Sequence, residues 1–147
     1  MDLNPTFYQY WANLGDAYRW VPDGADKARE AFARAVPLVQ NLLKRSSSDP
    51  DLQTQLALYL AKQGERASAE KALRQWETFQ NKSPASHFRA LLIHEILGDR
   101  QAALTSLETA LASGYAFKEI RDEPELTKLR SDPRYHRVVA RYDSVTR

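Results

Sequence analysis

His94-Glu95-Ile96-Leu97-Gly98 is the stretch of this chain that comes nearest to a reactive site. A zinc-peptidase helix carries two histidines four residues apart, so that both face one ion, with a glutamate beside the first as general base. Gly98 stands where the second histidine belongs, which excludes that chemistry. His87 and His94 lie seven apart on one helical stripe, but an ion needs further converging ligands and none is spaced to supply them. Both read as packed or solvated histidines. Ser46, Ser47 and Ser48 lack the G-x-S-x-G elbow of a serine nucleophile, and the five glycines at 15, 24, 64, 98 and 114 are isolated, so no loop cradles a phosphate. Asp49, Asp51, Asp122 and Glu123 flank Pro50 and Pro124, where carboxylates suit the positive end of a helix. Without cysteine there is no disulfide, zinc knuckle or thiol nucleophile. The expectation is a chain with no catalytic residue, no metal and no cofactor, and hence no enzymatic activity of its own.

Charge narrows the partners. Lys and Arg number 21 against 19 Asp and Glu, with both signs interspersed along 147 residues. Even the Arg-rich stretch 118–147 sets 8 basic residues against 6 acidic ones, which is a solvated face and not a nucleic-acid footprint. No apolar run approaches the ~18–20 residues of a membrane span, and Met1-Asp2-Leu3-Asn4-Pro5 has neither the basic nor the apolar part of a signal peptide. A cytoplasmic location is expected, or an extracytoplasmic one if the chain belongs to a membrane-anchored parent. Ala, Leu, Arg, Glu and Gln dominate, only 5 Gly and 7 Pro interrupt them, and 43% hydrophobic residues suffice for one core, so an all-α domain spanning 1–147 follows.

The elements that position these residues repeat. Pro50 and Pro84, Gly64 and Gly98, Ala69 and Ala103, and Leu73 and Leu107 are each 34 residues apart. Gly64-Glu65-Arg66 and Gly98-Asp99-Arg100 sit between apolar-periodic segments of helical length, so each glycine marks a turn between paired helices. Earlier in the chain, Trp11, Leu14, Gly15 and Tyr18 are followed by Ala28, Phe32 and Ala35, where small residues let two backbones approach and a ring fills the gap. The second helix of this first unit runs to about Arg45 through Pro37, where a kink is expected, and Ser46-Ser47-Ser48-Asp49-Pro50 ends it and caps the next. After Gly114-Tyr115 the period is lost, and two short helices interrupted by Pro124 and Pro133 are expected.

These seven residues and the 34-residue period resemble the tetratricopeptide repeat. The resemblance implies a right-handed α-solenoid of about three hairpins, at 6–45, 50–83 and 84–115, closed by a helical cap at 116–142. The text from Ile120 to Leu126 and from Leu129 to Tyr135 is similar to the ends of tetratricopeptide arrays attached to bacterial serine/threonine kinases and related regulators. What it implies is a non-enzymatic interaction module that holds a partner protein or peptide, as sensor or scaffold of a regulatory protein.

In that family the first helix of each hairpin lines a concave groove. The matching positions are Gln9, Ala12, Asp16, Arg19 and Trp20, then Asp51, Thr54, Leu58, Ala61 and Lys62, then Phe88, Leu92, Glu95 and Ile96. Arg19 and Lys62 stand near helix ends, where water screens charge. The clamp positions by which some relatives grip carboxylates hold Ala12, Asp16, Gln55 and Ala85 here, with only Arg89 fitting, so an apolar helix or extended segment with a few salt-bridged ends is the expected partner. Phe7, Tyr8, Tyr10, Trp11, Tyr18 and Trp20 crowd the first helix, which supports an alternative: a homo-oligomer formed through this aromatic face.

Overall fold

The computed structural model describes residues 7–143, and all the regular structure among them is helical. The chain divides into two compact units, residues 1–80 and 81–147.

In the first unit α1 (Phe7–Arg19) packs on α2 (Ala25–Arg45), α2 on α3 (Pro50–Gln63), and α3 on α4 (Arg66–Glu77). Tyr8, Ala12 and Gly15 form the buried stripe of α1, three and four residues apart as a helix face requires. A Cβ on Gly15 would stand 2.7 Å from the Phe32 ring, so the smallest residue is what admits the wholly buried phenylalanine of α2. Phe32 stacks on Tyr59 at 6.0 Å, Tyr59 meets Tyr8 at 6.2 Å, and the Tyr8 hydroxyl donates to Gln55 Oε1 at 3.1 Å. Three rings thereby lock α1, α2 and α3 together. Gln53 ties α3 to α4 by donating to the Ala72 carbonyl at 3.0 Å and to Gln75 at 3.1 Å.

Pro37 does not end α2, which is 21 residues long and runs on to Arg45. Its missing N–H deprives one carbonyl of a helical donor, but Ala33 and Pro37 are both exposed and water reaches that face.

Local chemistry sets the boundaries. Asp49 accepts the Leu52 N–H at 3.1 Å and Ser83 accepts that of Ser86 at 3.0 Å, each followed by a proline at the first helical position. Gly64 and Gly98 close α3 and α5 with φ of 92° and 83°, a left-handed cap that side chains resist.

In the second unit α5 (Pro84–Leu97) pairs with α6 (Arg100–Ala112), burying Ala90, Leu91 and Ile93 on one helix and Ala103, Leu107 and Ala110 on the other. The terminal segment differs from the two interrupted helices expected. It comprises a short helix α7 (Phe117–Arg121), 3-10 turns at Pro124–Leu126 and Leu129–Ser131, and α8 (Pro133–Asp143). Both prolines open their elements, because a first position needs no N–H, and Glu123 and Asp132 take up the next free donors, those of Glu125 and Arg134. Ile120, Leu126 and Leu129 are fully buried beneath, and Arg130 fastens the loop by donating to the carbonyls of Ile120 and Glu123 at 3.1 and 2.8 Å.

Candidate partner-binding site

Within the first unit the ends of α1 and α3 and the start of α2 enclose a cleft of about 360 Å³, lined by Arg19, Trp20, Ala25, Ala28, Arg29, Ala61, Lys62 and Gly64. The turn after α1 builds it. Val21 N–H donates to the Tyr18 carbonyl, Gly24 N–H donates to that of Val21, and Asp23 adopts φ 60°. A Cβ on Gly24 would strike the Tyr18 oxygen at 2.2 Å, so glycine permits the reversal that sets the first turn of α2 beside Trp20. Ala25, Ala28, Ala61 and Gly64 contribute no bulk, which is why the space stays open.

Three cations line the cleft, each in a different setting. The Arg19 guanidinium lies 5.9 Å from the centre of the Trp20 ring. Lys62 donates to Asp16 at 2.7 Å and lies 5.6 Å from the centre of Phe32. Arg29 is half exposed and pairs with Asp26, one turn away on α2 and more exposed still. Trp20 itself is 54% exposed.

Four residues expected to line a groove therefore share this cleft: Arg19, Trp20, Ala61 and Lys62. The others fall elsewhere. Gln9 is exposed and Asp51 half-buried on their helices, while Ala12 and Thr54 are buried. Leu58 and Leu92, read from sequence as groove-lining positions, are packed inside the protein, 7% and 5% exposed, and present almost no surface to a ligand. Lys62 also departs from its expected setting: its side chain is 7% exposed, held in by Asp16, and is not a water-screened end charge.

In the second unit Phe88 stacks on Tyr115 at 4.5 Å, and Ile96 is half-buried. Glu95, 7% exposed, receives two hydrogen bonds from Arg100, at 2.6 and 3.0 Å, and Arg100 also donates to Asp132 at 3.1 Å. The side chain and backbone N–H of Arg134, aided by Arg100, hold the Asp132 carboxyl well below the usual carboxylate range. Burial, and then the Lys82 charge, pushes His87 below the ordinary imidazole value; burial, and then Glu119, pushes Tyr115 up. Among the described residues no group of three His, Asp or Glu side chains converges as a metal site would require.

Ala25, Ala28, Arg29 and Gly64 lie outside the sequence-based set, since that set draws only on the first helix of each hairpin. Arg29 reaches the cleft from a second helix because α2 crosses α3 at this level, where its Cδ lies 3.9 Å from a Cβ built on Gly64. No local pattern announces such a crossing.

The aromatic face of α1 is largely open. Phe7 and Tyr10 are 41% and 59% exposed, and Trp11, Leu14 and Tyr18 line a second hollow of about 270 Å³ with Lys27, Glu30, Ala31 and Arg34 of α2. Arg34 covers the Trp11 ring at 4.9 Å and Lys27 the Tyr18 ring at 5.4 Å. Tyr8 belongs instead to the core. No helix among the described residues is long and apolar enough to cross a membrane.

Compared with protein-family models, curated proteins and solved structures, the chain matches none.

Proposed function

We propose that the chain is a non-enzymatic interaction module of tetratricopeptide type, and that it holds a partner protein or peptide through the cleft at Trp20. The observation that carries this reading is convergence: Arg19, Trp20, Ala61 and Lys62, drawn from segments some forty residues apart, line one open cleft with a half-exposed tryptophan at its edge. Half-exposed tryptophan and arginine are the residue types that dominate interface energies. The hairpin reading is supported by Gly15 beneath Phe32 and by the matching left-handed caps at Gly64 and Gly98. On that reading three hairpins and a cap form a right-handed array, part of a bacterial regulatory protein working in the cytoplasm.

Peptide selection from a displayed library against the intact chain tests the module. Trp20→Ala should weaken the selected peptides at least ~10-fold, about 1.4 kcal/mol, with the helical circular-dichroism spectrum unchanged. Retention of full affinity by a folded Trp20→Ala variant would refute the cleft as the binding site.

A second reading, self-association, is favoured by the exposure of Phe7 and Tyr10 beside the Trp11 hollow. Sedimentation equilibrium of the intact chain and of a Tyr10→Glu variant decides it: a dimer that the variant dissociates supports it, and a monomer at all concentrations removes it.

A further inference from the structure

We propose that a second copy of this chain covers the hollow between α1 and α2, joined about a two-fold axis that sets Glu30 of each copy against Arg34 of the other. This deepens the self-association reading, rests on it, and is independent of the Trp20 cleft. The face carries apolar surface and charge that its own chain leaves unused. Phe7 is 41% exposed, and after it Trp11, Leu14 and Tyr18 follow three and four residues apart, half-buried along a hollow of about 270 Å³. Across the hollow α2 presents Lys27, Glu30 and Arg34, all exposed.

These charges are uncompensated. Glu30 and Arg34 stand one turn apart on α2, where they could pair, yet the guanidinium lies over the Trp11 ring instead and Lys27 lies over Tyr18. Among the described residues no carboxylate pairs with Arg34 or Lys27, and no cation pairs with Glu30. A guanidinium placed over a ring keeps its edge donors for a carboxylate in two-point contact. An occupant of one sign would leave Glu30 or Arg34 unmatched. A second copy matches both, because a two-fold contact joins one patch to itself and needs each charge to find its opposite on that same patch.

The two helices also agree on where the axis falls. Trp11 is level with Arg34 and Tyr18 with Lys27, so α1 and α2 run antiparallel and in step. An axis midway between Trp11 and Leu14 sets Trp11 opposite the second copy's Leu14 and Phe7 opposite its Tyr18, ring and aliphatic against ring. Carried across to α2, the same axis falls within a residue of the midpoint between Glu30 and Arg34. The register that joins the apolar rows therefore joins the charges, and symmetry makes each contact twice.

Sedimentation equilibrium of the intact chain over a wide range of concentration tests this, with helical circular dichroism as the check on folding. The wild type should dimerise reversibly, since a contact about 20 Å long, the length of α1, is small for a stable interface. Glu30→Arg and Arg34→Glu should each weaken the dimer at least ~10-fold, because each sets like charges opposite one another twice, and the loss should shrink in high salt. Mixed in equal amounts, the two variants should regain most of the wild-type association as a heterodimer. If either variant loses its helical spectrum, disulfide trapping supplies the same test: the chain has no cysteine, so Glu30→Cys and Arg34→Cys copies should cross-link to each other in preference to themselves. A dimer indifferent to both charge variants, a loss that mixing does not restore, or cross-linking without preference would overturn the Glu30 to Arg34 register while leaving self-association in place. A monomer at every concentration would remove self-association, and this inference with it.

Discussion

Lys62 Nζ lies 2.7 Å from the Asp16 carboxylate, in a side chain that is 7% exposed against 47% for its partner. The asymmetry makes Asp16 the residue whose loss is felt most, because the ammonium would stay buried without its counter-charge. Asp16→Ala should destabilise the first unit by about 1–3 kcal/mol in urea titration, less than for a fully buried pair because water reaches one side. Adding Lys62→Met to Asp16→Ala should recover most of that loss. Additive losses in the double mutant would show that the pair is uncoupled.

Glycine substitutions should separate packing from backbone conformation. Gly15→Ala puts a methyl within 2.9 Å of three Phe32 ring carbons and should cost about 1–3 kcal/mol, with the near-ultraviolet signal of the Phe32 and Tyr59 rings altered. Gly98→Ala meets nothing within 4 Å, so its cost, about 1 kcal/mol, should come from φ of 83° alone and leave the ring signals untouched.

Arg100 joins Glu95 of α5 to Asp132 before α8, and its removal leaves Glu95 buried without donors. Arg100→Ala should destabilise the second unit by about 1–3 kcal/mol. Arg100→Lys, which keeps charge but not the two-point geometry, should recover only part of the loss. Equal stability of wild type and Arg100→Ala in thermal denaturation would contradict this.

Acid should act on the second unit in two windows. His87 is held below 6.5, so the unfolded chain binds the proton first; stability is full above that value and declines as pH falls from it toward the folded pKa. Asp132 is a depressed carboxyl, whose contribution is present above the ordinary carboxylate range and is lost as pH falls through its lower folded value. His87→Gln should flatten stability as pH falls below the ordinary imidazole value, and Asp132→Asn only as pH falls below the ordinary carboxylate range. Identical pH profiles for wild type and His87→Gln would reject the first assignment.

The parts legible from sequence are those fixed by short-range chemistry. Asp49-Pro50 and Ser83-Pro84 name helix starts, Gly64 and Gly98 name left-handed ends, and Ala69 and Ala103, 34 residues apart, are both fully buried. The cleft was half legible: Trp20 and Lys62 were found by helix position, whereas Arg29 enters through the crossing of two helices. Leu58 and Leu92 show the limit. On α3 and α5 the apolar residues run almost continuously, from Leu56 to Ala61 and from Ala90 to Ile93, so the 3.6-residue period does not say which of them face outward.

The order of packing partners, α1 with α2, α2 with α3, α3 with α4 and α5 with α6, follows the order of synthesis. Each pairing closes a loop of only a few tens of residues, so little chain entropy is lost before contacts repay it, and helical proteins of this kind fold in microseconds to milliseconds. Translation at about 5–20 residues per second is far slower. Phe32 can therefore settle against Gly15 once α2 has cleared the ribosome, while α5 and α6 are still untranslated, and the nascent chain buries this ring long before its last helix exists.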